Sequence, residues 1–139
     1  MIEVKSSFPV FTVKDLEIAK NFYTDNFGFE LVFSGDWYIH LLSPSGVQVG
    51  FLLPNQPSQP KIFQEQYFGD GVIFSLEVED ADAALLNAKS KALNIVLDIC
   101  SEDWGQRHFV IQDPNGVYLD IVESFEPTEE YHSDYLTEK

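Results

Sequence analysis

The chain repeats itself, and the repeat is what most narrows its possible folds. FTVKDLEIA (11–19) and LEVEDADAA (76–84) each carry a strand-like run ending in Val, one spacer, an Asp and an amphipathic continuation. Val13 and Val78, like Asp15 and Asp80, are separated by 65 residues. Further along, WYIHLLSPSGVQVGFLL (37–53) aligns with RHFVIQDPNGVYLDIVE (107–123), and Pro44/Pro114, Gly46/Gly116 and Val47/Val117 all stand 70 residues apart. Self-similarity at a fixed period marks one supersecondary unit present twice. Any architecture for the chain must therefore be one that two copies of this unit can build.

Local chemistry says what the unit is. Asp15 and Asp80 sit where a helix N-cap belongs, with a carboxylate for the free N–H groups of the first turn. After Asp15, Leu16, Ala19, Phe22, Tyr23 and Phe27 recur at spacings of three and four, which makes one apolar face, and Gly28 supplies a stop. After Asp80 the corresponding set is Ala81, Ala84, Leu85, Ala88 and Ala92, predicting a helix that ends near Asn94. The flanking segments 8–14, 29–34, 37–42, 47–53, 72–79, 95–100, 107–112 and 117–123 are β-branched and aromatic. SPSG and DPNG between the last two strands of each half are turn chemistry, with Pro fixing φ and Gly taking the left-handed position. Each half reads β-α-β-β-β, an α+β chain of two tandem modules: residues 1–53 and 72–124, with a connecting segment at 54–71 and an acidic tail at 125–139. The connecting segment is Pro- and Gln-rich, then aromatic. It reads as a linker, or as a lid that hangs Phe63, Tyr67 and Phe68 over a cavity. Tyr131 and Tyr135 in the tail are spaced to dock on a neighbour.

Composition excludes whole classes of partner. With 8 Lys and Arg against 23 Asp and Glu the net charge is −15, a field that repels phosphate backbones and anionic lipid and gathers cations. Nucleic acid and membrane are not expected as partners. A lone cysteine, Cys100, cannot form an internal bridge, and the N-terminus lacks the pattern of a secretion signal, so a cytoplasmic location is expected. His40, His108 and His132 show no His-x-x-x-His spacing, and neither Ser nor Cys100 sits in a recognisable nucleophile motif. No catalytic residue, metal ligand or cofactor is assigned.

The paired modules, V-x-D-L-x-x-A-x-x-F-Y at 13–23, and DPNG followed by a strand with an acidic residue resemble the vicinal oxygen chelate superfamily, which includes glyoxalase I, ring-cleaving dioxygenases and bleomycin resistance proteins. The resemblance covers about residues 8–123. It implies that the modules' curved mixed sheets wrap a shared cup, and that metal-dependent members hold their ion from the first and fourth strands of each module. Those positions carry over as Phe8, Gly50, Ile73 and Asp120, of which three have no side-chain donor. The closest likeness is to the metal-free, bleomycin-resistance-like branch, where a Trp in W-G-x-R before the D-P-x-G turn lies against aromatic parts of a drug; Trp104, Gly105 and Arg107 match that pattern. A homodimer is implied as well.

The cup then reads as a pocket for a small molecule, lined by Phe8, Trp37, Gly50, Ile73, Glu77, Trp104, Arg107 and Asp120. The favoured function is sequestration of a flat or aromatic, cationic compound without chemistry, as in antibiotic resistance. Trp104 and Trp37 would stack on rings, or would only anchor a loop and a strand. Arg107 would contact ligand, or pair with Asp113 or Glu102. Two alternatives remain. One is a metal-dependent, glyoxalase-like lyase or isomerase, or a dioxygenase. The other is an interaction module whose cup is filled by Phe8, Phe51 and the aromatic segment 63–68.

Overall fold

The computed structural model describes residues 1–136. In chain order the elements are β1 (Val10–Thr12), α1 (Leu16–Phe27), β2 (Glu30–Ser34), β3 (Tyr38–Leu42), β4 (Gln48–Leu52), a 3-10 turn at Lys61–Phe63, β5 (Phe74–Glu77), α2 (Ala81–Ser90), β6 (Asn94–Glu102), β7 (Gln106–Gln112), β8 (Tyr118–Ser124) and α3 (Glu129–His132). This is the α+β chain of two β-α-β-β-β modules. Each module forms one four-stranded mixed sheet, ordered β1-β4-β3-β2 in the first and β5-β8-β7-β6 in the second. By contacts the chain divides into two compact units. One is Met1–Gly69 with the turn residues Pro114–Val117, and the other is Asp70–Asp113 with the residues from Tyr118 onward.

The registers of the fourth strand of each module with its first and third strands reproduce the repeat residue for residue. Val10 pairs with Gly50 across β1 and β4, and Ser75, 65 residues after Val10, pairs with Asp120, 70 after Gly50. In the same way Tyr38 faces Leu52 and His108 faces Val122. The caps are equally matched: the Asp15 carboxylate accepts from the Ile18 N–H at 3.0 Å, and that of Asp80 from the Ala83 N–H at 3.0 Å. Each cap contributes about 1 kcal/mol to its helix. Gly28 ends α1 at φ 69°, a conformation costly to any residue with a Cβ. The second helix differs from expectation. It stops at Ser90, and Ala92, counted above as its last apolar residue, instead takes φ 54° beyond the end.

In the first unit Ala19, Phe22 and Tyr23 of α1 bury against Phe11, Val13, Phe29, Ile39, Leu41, Val49 and Phe51. Tyr23 and Phe51, both fully buried, meet with ring centroids 5.1 Å apart. In the second unit Ala81, Leu85 and Ala88 of α2 lie among the buried Leu76, Phe109, Ile111, Leu119 and Ile121. Because side chains alternate along a strand, these buried sets define the helix-covered face of each sheet, and their neighbours in sequence define an open face. The sites described below lie on those open faces. Among the described residues no helix is long and apolar enough to cross a membrane.

Candidate ligand-binding site

On the first sheet the register gathers Val10, Thr12, Leu52, Tyr38 and Phe33 on the open face. A slip between Leu31 and Phe33 in β2 brings Phe33 opposite His40. The segment after β4 folds back over this face: the Thr12 hydroxyl donates to the Phe63 carbonyl at 3.1 Å, and the Tyr67 N–H donates to the Thr12 carbonyl at 2.8 Å. The Gln64 amide holds the segment's shape through the carbonyls of Gln56 and Gln59, at 3.1 and 2.9 Å. What remains between is a cavity of about 730 Å³ lined by Val10, Thr12, Phe33, Gly35, Trp37, Tyr38, Leu52, Gln59 and Phe63. Four of those nine residues are aromatic, which suits flat ligands.

Of the residues expected at the site, Trp37 is in this cavity, half-exposed. Phe63 lines it as a lid would, whereas Tyr67 packs edge-on against Phe11 at 5.1 Å and Phe68 is exposed. Phe8 and Gly50 lie beside the cavity. Phe8 meets His40 edge-on at 4.6 Å. Above Gly50 lies the end of the Tyr38 ring, so close that a Cβ at position 50 would be 2.8 Å from Cζ and nearer still to the hydroxyl. That hydroxyl bonds His40 Nδ1 at 2.7 Å, and His40 Nε2 bonds Gln48 Oε1 at 2.8 Å. Since the amide oxygen only accepts, Nε2 carries the proton and the tyrosine donates to Nδ1. Burial pushes the Tyr38 phenol above its ordinary value.

The other expected residues belong to the second unit, where they divide between faces. Asp120, Glu77 and Ile73 share the open-face parity, with Glu77 and Ile73 exposed. Asp120 Oδ1 accepts from His108 Nδ1 at 2.7 Å. Arg107 pairs with Glu123 in register and shares the parity of the buried Phe109 and Ile111, so it points to the α2 side. There it forks onto Asp82 at 2.8 and 3.0 Å and reaches Ser101 Oγ at 3.0 Å. Its partner is thus Asp82, not Asp113 or Glu102, and the structure does not bring Arg107 together with Asp120. Hydrogen bonding to Arg107 holds the Asp82 carboxyl below its usual range, and Asp82 raises the guanidinium in turn. Trp104 also serves its own chain. Its Nε1–H donates to Gln106 Oε1 at 2.8 Å, its ring meets Tyr131 edge-on at 6.3 Å, and its carbonyl accepts from the Tyr135 hydroxyl. Gly105 beside it stands at φ 105°, and a Cβ there would come within 2.6 Å of the Phe125 carbonyl oxygen. W-G-x-R here is a hairpin onto which the C-terminal segment docks.

The positions that the resemblance assigns to a metal do not fit one. Phe8, Gly50 and Ile73 offer no side-chain donor, Tyr38 occupies the space a ligand at position 50 would need, and Asp120 is engaged by His108. A different group of donors was missed in the sequence. Cys100 and Glu102 share one face of β6, and Cys100 lies opposite His108 across the hairpin. The thiol donates to Glu102 Oε1 at 3.4 Å, and burial, followed by that bond, pushes its pKa up. His108 Nε2 is buried with no hydrogen-bond partner.

Comparison with known proteins settles the family. The model of the glyoxalase/bleomycin resistance protein/dioxygenase superfamily matches residues 7–121. The chain belongs to this superfamily. A superfamily member from Sphaerobacter thermophilus has 25% identity and a TM-score of 0.72, with 89% of this chain and 100% of that one covered. A glyoxalase/bleomycin resistance protein/dioxygenase from Nocardioides has 16% identity and a TM-score of 0.74 over 91% and 87% of the two chains. A lactoylglutathione lyase from Agrobacterium tumefaciens has 18% identity and a TM-score of 0.70 over 87% and 94%. The last two likenesses are of fold. No curated protein sequence matches the chain. Members of one superfamily share architecture while their chemistry diverges, so function must be argued from the site.

Proposed function

We propose that the chain is a small-molecule binding protein of the bleomycin-resistance-like kind, holding a flat aromatic ligand in the first unit's cavity without altering it. The observation that carries this reading is the cavity itself: about 730 Å³, apolar, and flanked by Phe33, Trp37, Tyr38 and Phe63. Ring stacking contributes about 0.5–1.5 kcal/mol per aromatic beyond area burial. The net charge of −15 favours a cationic ligand and speeds its arrival. Cation–π attraction adds roughly 1–2 kcal/mol once that charge is desolvated. Trp37, rather than Trp104, is the indole of this site. On the same reading the protein acts in the cytoplasm as a homodimer, and light scattering across a dilution series tests the dimer.

The test of binding is calorimetry and thermal unfolding with ethidium as a flat aromatic cation. A ligand bound only by the folded state raises apparent stability by about 2.7 kcal/mol at one hundred times its dissociation constant. Saturable heat with ethidium, weakened by Trp37→Ala, is expected. No heat with ethidium, alongside tight binding of an anionic aromatic such as anilinonaphthalene sulfonate, would contradict the reading.

A further inference from the structure

The geometry points to a zinc site on the open face of the second sheet, formed by Cys100, Glu102 and His108. The sulfur, a carboxylate oxygen and a ring nitrogen of these residues all lie within 4.8 Å of one another. They converge because Cys100 and Glu102 alternate along β6 while His108 stands opposite Cys100 on β7. The imidazole is oriented from behind, since Asp120 Oδ1 holds Nδ1 at 2.7 Å. That leaves Nε2 as the nitrogen available to a metal, and Nε2 is buried without a hydrogen-bond partner. A histidine serving only the fold would normally satisfy both nitrogens. A carboxylate on one ring nitrogen with the other left bare is the arrangement by which proteins fix the tautomer and raise the basicity of a metal-bound imidazole.

The donor set selects the ion. Magnesium and calcium demand oxygen ligands, whereas one thiolate, one imidazole and one carboxylate suit zinc. Zinc holds sulfur at about 2.3 Å and nitrogen at about 2.0–2.1 Å, so tetrahedral ligands sit roughly 3.3–3.8 Å apart. The three side chains reach that spacing by closing about 1 Å. Binding breaks the Cys100 S–H bond, forms the sulfur–zinc bond and releases one proton to solvent. Three protein ligands leave the fourth position to water, the pattern of a zinc that can act on a ligand. The site is separate from the positions the superfamily resemblance implies; Asp120 takes part as the partner of His108, not as a ligand. It also stands apart from the aromatic-ligand proposal, which concerns the other unit.

The experiment uses the full chain, stripped with a chelator and kept reduced by a phosphine, titrated with cobalt chloride and then zinc chloride. One equivalent of cobalt per chain, with a near-ultraviolet sulfur-to-cobalt absorption that zinc abolishes, is expected. Cys100→Ser should remove that absorption, Glu102→Gln and His108→Gln should weaken zinc at least tenfold, and Asp120→Asn should weaken it about 10- to 100-fold. Zinc should also protect Cys100 of the unaltered chain from iodoacetamide, a readout needing no variant to fold. The proposal is overturned if cobalt binds without the sulfur absorption, if zinc binds Cys100→Ser as tightly as the parent, or if saturating zinc leaves the alkylation rate unchanged.

Discussion

Replacing Gly50 by alanine probes the packing of Tyr38 over the fourth strand of the first sheet. The added methyl would stand 2.8 Å from Tyr38 Cζ and 3.0 Å from Cε1, so the ring must swing away. Swinging breaks the 2.7 Å bond from the Tyr38 hydroxyl to His40, worth about 1 kcal/mol, and strains the rotamer by about 0.5–1.5 kcal/mol. Against this, alanine in a strand gains about 0.5–1 kcal/mol over glycine. The net expectation for Gly50→Ala is a loss of about 0.5–2 kcal/mol. In a Tyr38→Ala background the obstruction is gone, and the same change should stabilise by about 0.5–1 kcal/mol. The coupling between the two positions is therefore about 1.5–2.5 kcal/mol, well above the scatter of independent sites. Urea unfolding of the four proteins measures it, provided the unfolding slopes agree. If the two changes add within about 0.5 kcal/mol, Tyr38 does not lie over Gly50, and the argument that position 50 is closed to a metal ligand fails.

Other expectations follow from single contacts. Phe51→Ala empties a fully buried position beside Tyr23 and should cost about 3–5 kcal/mol by urea unfolding, against little change for the exposed Phe68→Ala. Because the Cys100 thiol is raised in the folded state, its contribution to stability is present below the ordinary thiol range and is lost as pH rises through the folded value. The alkylation profile of the native chain should accordingly lie at higher pH than that of the urea-unfolded chain; coincident profiles would contradict the thiol's partly buried place beside Glu102. Asp82 has the opposite sign: its lowered carboxyl contributes above the unfolded carboxylate range, and that contribution disappears as pH falls through the folded value. Arg107→Ala should therefore leave ethidium binding unchanged, and acid unfolding scans should shift to higher pH; weakened ethidium binding would restore Arg107 to the ligand site.

The fold was legible because its signals are local and occur twice. Asp15 and Asp80 cap helices from within one turn, SPSG and DPNG set hairpins, and the 65- and 70-residue offsets carry through to the pairs Val10 with Gly50 and Ser75 with Asp120. The sites were less legible because they depend on irregularities that periodicity does not encode. Phe33 reaches the cavity through the slip in β2, and Phe63 through the fold-back of the segment after β4. Cys100 reaches His108 across a hairpin whose register shifts between Leu97 and Cys100. Arg107 and Trp104 were drawn to a ligand by their motif, yet one is held by a carboxylate of α2 and the other by the C-terminal segment. The alternation of Cys100 and Glu102 along β6, set against a histidine on the next strand, was the available sign of the second cluster.

The chain has two indoles, Trp37 in the cavity of the first unit and Trp104 under the C-terminal segment. A proton–nitrogen correlation spectrum therefore contains two indole signals, assignable by Trp37→Phe and Trp104→Phe. On titration with ethidium the account predicts a saturable shift of the Trp37 signal with that of Trp104 unmoved. Movement of Trp104 alone, or of neither while ethidium binds, would contradict the claim that the first unit's aromatic cavity is the binding site.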